Sequence, residues 1–270
     1  MDIKENLMGK VEEKSRGVNI EPRFQIRVSI GGKKEKPSGA EVLAYVNGEP
    51  LSVLMEKEHL GVEEISDIYT RVVTSSIPHI RRALEIEPEL KFSFKLYRLH
   101  IENIYQIEDI LNLFREADIP FRNLEFETDL DFLRKCAQGE EVLRKLTLLS
   151  IVTDFVLEFG DEVCIPHRFI NRLLIQKIKI PSDVVEEILD QTTSLVFGKN
   201  VKLLKGLVKF LKELEISVLV DGVKTKAAVD FLSLMGVDEA QGPYFGPPLD
   251  GEKFLECLKS FHKTGRCASN

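Results

Sequence analysis

The regular alternation of short apolar segments with longer amphipathic ones is the strongest constraint on how this chain can fold. Segments of strand length lie at residues 24–30, 40–46, 90–96, 123–127, 150–157, 177–180 and 218–220, and a last short strand follows residue 236. Helical periodicity fills the intervals, at residues 65–84, 104–117, 129–148, 168–175, 184–189, 201–214, 226–234 and 251–261. A repeated strand–helix order predicts a parallel sheet covered by helices. So many strands in a chain of this length favour a closed α/β barrel over an open sheet.

The composition excludes several classes of protein. Hydrophobic residues make up 43% of the 270 residues and charged residues 30%, which favours a packed core over general disorder. The net charge of −7 gives no global attraction for nucleic acid or anionic lipid, so neither is an expected partner. The mean hydropathy is −0.08, and no apolar run approaches the roughly 18 residues of a membrane span.

The cysteines bear on metal binding and on location. Their spacing contains no C-x-x-C pair and no Cys/His cluster, so it predicts no zinc site. Without an apolar signal core at the N-terminus, the cysteines are expected to be reduced thiols in a cytoplasmic protein. The four positions are Cys136, Cys164, Cys257 and Cys267.

The chain is predicted to form one barrel domain with short extensions. Residues 1–22 are polar and are expected to be an N-terminal appendage outside the core. Residues 23–262 form the barrel, and residues 263–270 form a C-terminal tail.

Polar residues at the ends of the predicted strands mark the candidate site. Functional side chains of a β/α barrel lie at the carboxyl ends of its strands and face a common mouth. Clustered carboxylates there suit a hard cation such as Mg²⁺, whereas two lysines in the same cluster suit an anion or an ion-pair network. The polar residues at strand ends are Glu41, Lys95, Glu125, Glu158, Lys179, Asp221 and Gln241.

Several segments resemble one known family in the same order. Gly39-Ala40-Glu41-Val42-Leu43 resembles the G-A-E-A-L segment that names the EAL domain, the cyclic di-GMP phosphodiesterase family of bacteria. Residues 241–249 (QGPYFGPPL) are similar to the more specific family pattern Q-G-[YF]-x-[FY]-x-x-P. Shorter similarities occur at residues 124–128, 157–160, 178–181 and 220–224, so the resemblance covers residues 24–260. It implies a modified TIM barrel of EAL type.

The resemblance also implies a two-metal hydrolase site, from which this chain departs. The family asparagine falls on Lys95 and the first aspartate of its D-D pair falls on Leu157, so a cation and an apolar side chain replace two metal ligands. We therefore expect no Mg²⁺ or Mn²⁺ cofactor, and we expect Lys95 to lie within ion-pair reach of Glu41, Glu125 or Glu158. An alternative register sets Thr153-Asp154-Phe155 against the D-D pair. The family's catalytic and metal positions fall on Glu41, Lys95, Glu125, Leu157, Glu158, Lys179 and Asp221, which are then vestigial.

Nucleotide recognition is changed as well. The family arginine that grips a phosphate falls on Tyr45, which offers a hydroxyl but no charge. The remaining candidates for ligand contact are Gln25, Gln241 and Tyr244, although Gln241 and the Tyr244-Phe245 pair also suit a structural turn with core aromatics.

Two functions of different class follow. The first is a catalytically inactive EAL-like binding module that contacts a protein partner, senses cyclic di-GMP, or does both. The second is an active Mg²⁺- or Mn²⁺-dependent cyclic di-GMP phosphodiesterase with atypical ligands. Lys95 and Leu157 favour the first, and Tyr45 with the charge of −7 favours protein contacts within it.

Overall fold

The computed structural model describes residues 18–32, 34–57, 60–97, 100, 104–130, 133–134, 140–159, 167–181, 197–264 and 267. The strands are β1 Ile20–Ser29, β2 Lys36–Val46, β3 Glu49–Pro50, β4 Lys91–Lys95, β5 Leu124–Asp129, β6 Asp154–Glu158, β7 Ile175–Ile180, β8 Ser217–Val220 and β9 Glu239–Gln241. The helices are α1 Leu51–Lys57, α2 Val62–Ile86, α3 Ile104–Glu116, α4 Glu140–Val152, α5 His167–Ile170, α6 Phe197–Glu213, α7 Lys226–Met235 and α8 Gly251–Thr264, with a 3-10 turn at Phe121–Asn123.

Eight of the strands close into a barrel. Their order is β1-β9-β8-β7-β6-β5-β4-β2, and the pairing of β1 with β2 closes the circle, while β3 extends β2 outside it. Strand β1 runs antiparallel to both of its neighbours, and the other neighbouring pairs in the circle are parallel. The predicted modified TIM barrel of EAL type is therefore confirmed.

The apolar core lies between the strands and the surrounding helices. Phe24, Phe92 and Phe254 are fully buried and pack as aromatic neighbours, and thus join β1 and β4 to α8. Successive residues of a strand alternate between the two faces of a sheet. The apolar residues of the strands accordingly face the helices, and the polar residues between them face the barrel interior.

The interior of this barrel is charged. Glu125 on β5 contacts Arg27 on β1 and Lys177 on β7, which are not its neighbours in the sheet, so these contacts cross the interior. Branched apolar side chains usually fill a TIM barrel. In this barrel, ion pairs occupy the interior in two layers. The layer at the carboxyl ends of the parallel strands forms the candidate site.

Some predicted boundaries need correction. Residues 150–152, predicted as strand, are the last turn of α4, where the amide of Thr153 still donates to the carbonyl of Leu149 at 3.0 Å. Residue 175, predicted as helix, begins β7. Residues 20–22 belong to β1, which moves them from the predicted appendage into the barrel. The rest of that appendage up to residue 17, and the predicted helix at 184–189, lie outside the described residues.

The cysteines also differ from the prediction. Cys257 on α8 and Cys267 form a disulfide with their Cα atoms 4.6 Å apart, so these two are not reduced thiols in this structure. Cys136 and Cys164 lie outside the described residues. Separately, none of the described helices combines the length and apolar character that a bilayer crossing requires.

A candidate functional site at the barrel mouth

A buried lysine lies at the centre of the polar residues at the mouth. Lys179 Nζ is 2.8 Å from Glu127 Oε1, 3.0 Å from Glu41 Oε2 and 3.4 Å from Asp221 Oδ2. Gln241 Nε2 donates to the same Glu41 oxygen at 2.7 Å, and its side chain is fully buried. Five strands or strand ends therefore converge on one point. We name the group the rim cluster, and its members are Glu41, Lys95, Glu127, Glu158, Lys179, Asp221 and Gln241.

A second lysine completes the rim cluster. Lys95 is the last residue of β4, and its Nζ lies 2.9 Å from Glu158 Oε2, which confirms the predicted ion pair. The side chain of Lys95 is 37% exposed, whereas that of Lys179 is 3% exposed. Lys95 is thus the cation of the cluster that solvent can reach.

Burial and mutual repulsion set the charge state of the cluster. Burial, together with the nearby Glu41 carboxylate, raises the pKa of Glu127 to about 8, in spite of the contact with Lys179. Burial opposes the charge of Lys179, but Glu127 and Glu41 outweigh it and raise the pKa of its ammonium well above its usual range. Burial likewise opposes the charge of Lys95, while Glu158 and Glu127 raise its pKa to about 12. The raised pKa of Glu127 favours its protonated form, and the raised pKa values of Lys95 and Lys179 favour their charged forms.

Glu125, predicted for the rim, lies one layer deeper. It is fully buried, ion-paired with Arg27, and its Oε1 is 2.7 Å from Lys177 Nζ. Lys177 Nζ also lies 2.6 Å from Glu239 Oε2. Burial opposes the charge of Glu125, but Arg27 and Lys177 outweigh it and lower its pKa to about 2. We name Arg27, Glu125, Lys177 and Glu239 the inner cluster.

Glu127 holds the rim position that the sequence predicted for Glu125. Both glutamates face the interior, because they are two residues apart on β5. The strand continues to Asp129, so Glu127 is closer to its carboxyl end. The prediction ended this strand at residue 127 and relied on motif alignment. The position of the true strand end was the signal that would have selected Glu127.

Leu157 also lies away from the mouth. It is fully buried within the apolar core and is paired in register with Thr128 and Ile178. The alternative register does not supply a rim carboxylate either, because Asp154 begins β6 and forms an ion pair with Lys91, the first residue of β4, at the opposite end of the barrel.

The predicted ligand-contacting residues surround the mouth. Gln25 pairs in register with Glu41, while Tyr45 lies four residues further along β2 and Tyr244 follows β9. All three are half-buried. The sequence reasoning missed Arg23, whose guanidinium carbon lies 5.7 Å from the centre of the Tyr45 ring. Arg23 shares the inward face of β1 with Gln25, so a cation stands beside Tyr45 after all.

Two glycines permit the close packing that forms the site. A Cβ atom at Gly39 would lie 2.0 Å from the carbonyl oxygen of Lys91, so only glycine fits where β2 approaches β4 below Glu41. Gly242 has φ +140°, and a Cβ atom there would lie 2.2 Å from the amide nitrogen of Val223. Gly242 thus allows the turn after Gln241 to pack on the segment after β8.

The carboxylates of the rim cluster are directed at lysines. Within the ranges that the structure describes, no group of three or more His, Cys, Asp or Glu side chains is arranged to hold a metal ion. The reason is geometric, since Glu41, Glu127 and Asp221 converge on the Lys179 ammonium and Glu158 on Lys95.

EAL enzymes and EAL domains are among the solved structures that share this fold. The EAL enzyme Bd1971 in its cAMP-bound form matches with a TM-score of 0.75 and 14% identity, over 94% of this chain and 70% of that one. The FimX EAL domain from Pseudomonas aeruginosa bound to c-di-GMP matches with a TM-score of 0.65 and 21% identity, over 92% and 97%.

The sequence comparisons extend these matches. The uncharacterized protein y4lL of Sinorhizobium fredii is 22% identical over 179 residues, and this chain spans 21% of its length. The model of the EAL domain matches residues 12–248. The chain belongs to the EAL domain family.

Proposed function

We propose that this chain is an EAL domain that binds its ligand or partner without phosphodiester hydrolysis. The observation that carries the proposal is the occupation of the rim carboxylates by two ammonium groups, Lys179 at the centre and Lys95 at the edge. Metal-dependent hydrolysis requires these oxygens for divalent ions that activate a water molecule.

The donor set does not fit a pair of divalent ions. Lys95 places a positive charge where the family resemblance implies a neutral amide ligand, and it engages Glu158 at 2.9 Å. Leu157 has no donor atom and lies in the apolar core. Two-metal sites require a complete, correctly spaced set of oxygen ligands, which Lys95 and Leu157 do not supply.

Cyclic di-GMP is the ligand that we propose for the mouth. The family membership supports it, as does the FimX EAL domain, whose structure is bound to c-di-GMP. On this chain the supporting observation is Arg23, since a guanidinium can form two parallel hydrogen bonds to a phosphate. Arg23 is 28% exposed beside Tyr45, although Glu21 competes for it. A protein partner and a cytoplasmic location stay predictions from the sequence.

The test separates hydrolysis from binding. The unmodified protein is incubated with cyclic di-GMP in Mg²⁺ and in Mn²⁺, and the products are separated by chromatography. We expect no linear dinucleotide. Multiple turnover that is abolished by Glu41→Ala would refute the proposal and establish the phosphodiesterase alternative.

Calorimetric titration with cyclic di-GMP, with and without Mg²⁺, measures binding. We expect Mg²⁺-independent binding that Arg23→Gln weakens on the order of tenfold, because charged hydrogen bonds contribute about 1.5–3 kcal/mol. The matched control is Arg82→Gln, an exposed arginine paired with Glu252 between α2 and α8. Absence of binding heat in all three proteins would exclude cyclic di-GMP as the ligand and would leave binding of a protein partner as the proposed function.

A further inference from the structure

The turn after β9 carries one of the rim side chains. Gln241, the last residue of β9, donates to Glu41, and the turn is held by the Val223 amide, which donates to the Gln241 carbonyl at 2.9 Å. The Tyr244 amide donates back to the Val223 carbonyl at 2.9 Å. A displacement of this turn would therefore act directly on the rim cluster.

Cys267 contacts the same turn. The Cys267 amide donates to the Phe245 carbonyl at 3.4 Å. A Cβ atom at Gly246 would lie 3.3 Å from the Cβ of Cys267, so Cys267 fills the space where a side chain at position 246 would stand. Phe245 is 1% exposed and Cys267 8%, which shows that the contact excludes water.

The disulfide is the covalent part of this contact. Cys257 lies on α8 and is 3% exposed, and the bond joins α8 to Cys267 across a separation of 10 residues. The 3.4 Å hydrogen bond is long for N–H···O and therefore weak. The position of Cys267 on the turn thus depends on the disulfide.

We propose that Cys257 and Cys267 form a reversible redox latch that fastens Cys267 onto the Phe245-Gly246 turn and so stabilises the position of Gln241 at the mouth. The proposal is independent of whether cyclic di-GMP binds, because it concerns the order of the turn. Its reductant is a small dithiol such as dithiothreitol.

The chemistry is thiol–disulfide exchange. A thiolate of the dithiol attacks one protein sulfur, the S–S bond breaks, and the other protein sulfur leaves as a thiolate. The second thiol of the reagent then displaces the first protein sulfur. Two electrons and two protons pass to the protein, which gains two thiols, and the reagent becomes a cyclic disulfide.

Hydrogen exchange read by mass spectrometry tests the latch on the full chain, with and without dithiothreitol. The test uses the Cys136→Ser/Cys164→Ser protein, so that the latch cysteines cannot exchange with the other two. In the oxidised protein, a non-reducing peptide map should recover residues 257 and 267 in one linked species. On reduction, we expect amide exchange at residues 244–246 to accelerate on the order of tenfold, as local release of an anchored segment does.

Controls make the outcome decisive. Exchange in β4 and β5 should be unchanged, and Cys267→Ser without reductant should reproduce the reduced pattern. Equal exchange at residues 244–246 in the oxidised, reduced and Cys267→Ser proteins would overturn the proposal. So would recovery of residues 257 and 267 as separately alkylated thiols after equilibration with glutathione disulfide.

Discussion

Arg27 on β1 forms an ion pair with Glu125 on β5 in the middle of the barrel, and both side chains are fully buried. Arg27 Nη2 also donates to the carbonyl of Lys91 on β4 at 2.9 Å. A buried charge that loses its partner is strongly destabilising, whereas an exposed ion pair contributes little.

Arg27→Met should therefore lower the free energy of unfolding by about 3 kcal/mol, because it removes one of the two cations that balance Glu125. The matched control is Lys57→Met, which removes the exposed pair with Glu49 and should change stability by less than about 1 kcal/mol. Urea denaturation measures both. Equal stabilities of the two variants would show that the inner cluster is not a stabilising element.

Gly39→Ala should destabilise the barrel strongly. The added Cβ would lie 2.0 Å from the Lys91 carbonyl oxygen and 2.6 Å from Arg27 Nη2, and the backbone atom cannot move without shifting β4. We expect a loss of about 3 kcal/mol or more, at the upper end for overpacking. Gly206→Ala on α6 is the control, since nothing lies within 4 Å of its Cβ position and alanine should stabilise the helix by about 0.5–1 kcal/mol. A Gly39→Ala protein with an unchanged thermal midpoint would contradict the packing.

Lys95→Asn should increase the affinity of the mouth for Mn²⁺. The change removes one positive charge beside Glu158 and supplies an amide oxygen, so we expect an increase on the order of tenfold, as electrostatic attraction within a few ångströms predicts. Lys91→Asn is the matched control, because that lysine pairs with Asp154 at the opposite end of the barrel. Titration of Mn²⁺ followed by electron paramagnetic resonance measures the affinities. The same increase in both variants would place the effect outside the rim.

Glu127 should make stability fall with rising pH. Its pKa is about 8 in the folded protein and 4.5 ordinarily, so its favourable contribution is full below pH 4.5 and is lost as the pH rises to about 8. Glu127→Gln keeps a neutral side chain and should flatten the stability profile between pH 4.5 and 8. Thermal denaturation across this range, with exposed Glu49→Gln as the control, measures the effect. An unchanged slope in Glu127→Gln would assign the titration to another group.

The sequence predicted the barrel because its strands read clearly as apolar alternation, as in Phe24, Ile26 and Val28 of β1. These residues face the helices, and a periodicity argument detects such a buried face directly. The same apolar pattern marks where each strand ends, so a polar residue that follows a strand, such as Asp221 after β8, was also found. The sequence predicted an ion pair of Lys95 with Glu41, Glu125 or Glu158, because polar residues at strand ends face a common mouth. The structure selects Glu158.

The remaining errors come from information that no single segment contains. Glu125 and Glu127 are two residues apart on β5, so both side chains face the interior. Only the exact end of β5 shows which of them belongs to the rim cluster and which to the inner cluster. Leu157 was assigned to the metal site by motif alignment. It directly precedes Glu158 on β6, and successive residues of a strand point to opposite faces, so Leu157 faces the helices. Arg23 and the Cys257–Cys267 disulfide depend on contacts between distant parts of the chain, which local patterns do not encode.

The closure of the barrel by β1 has a consequence for how the protein is made. Arg27 pairs in register with Gln241, so the first strand of the barrel must wait for the last one before the circle is complete. During synthesis on the ribosome, Arg27 and Glu41 emerge early, but Gln241 and Glu239 follow about two hundred residues later, and such distant pairings form slowly. Until β9 is available, β1 keeps one unpaired edge, and an unpaired strand edge exposes a folding chain to aggregation.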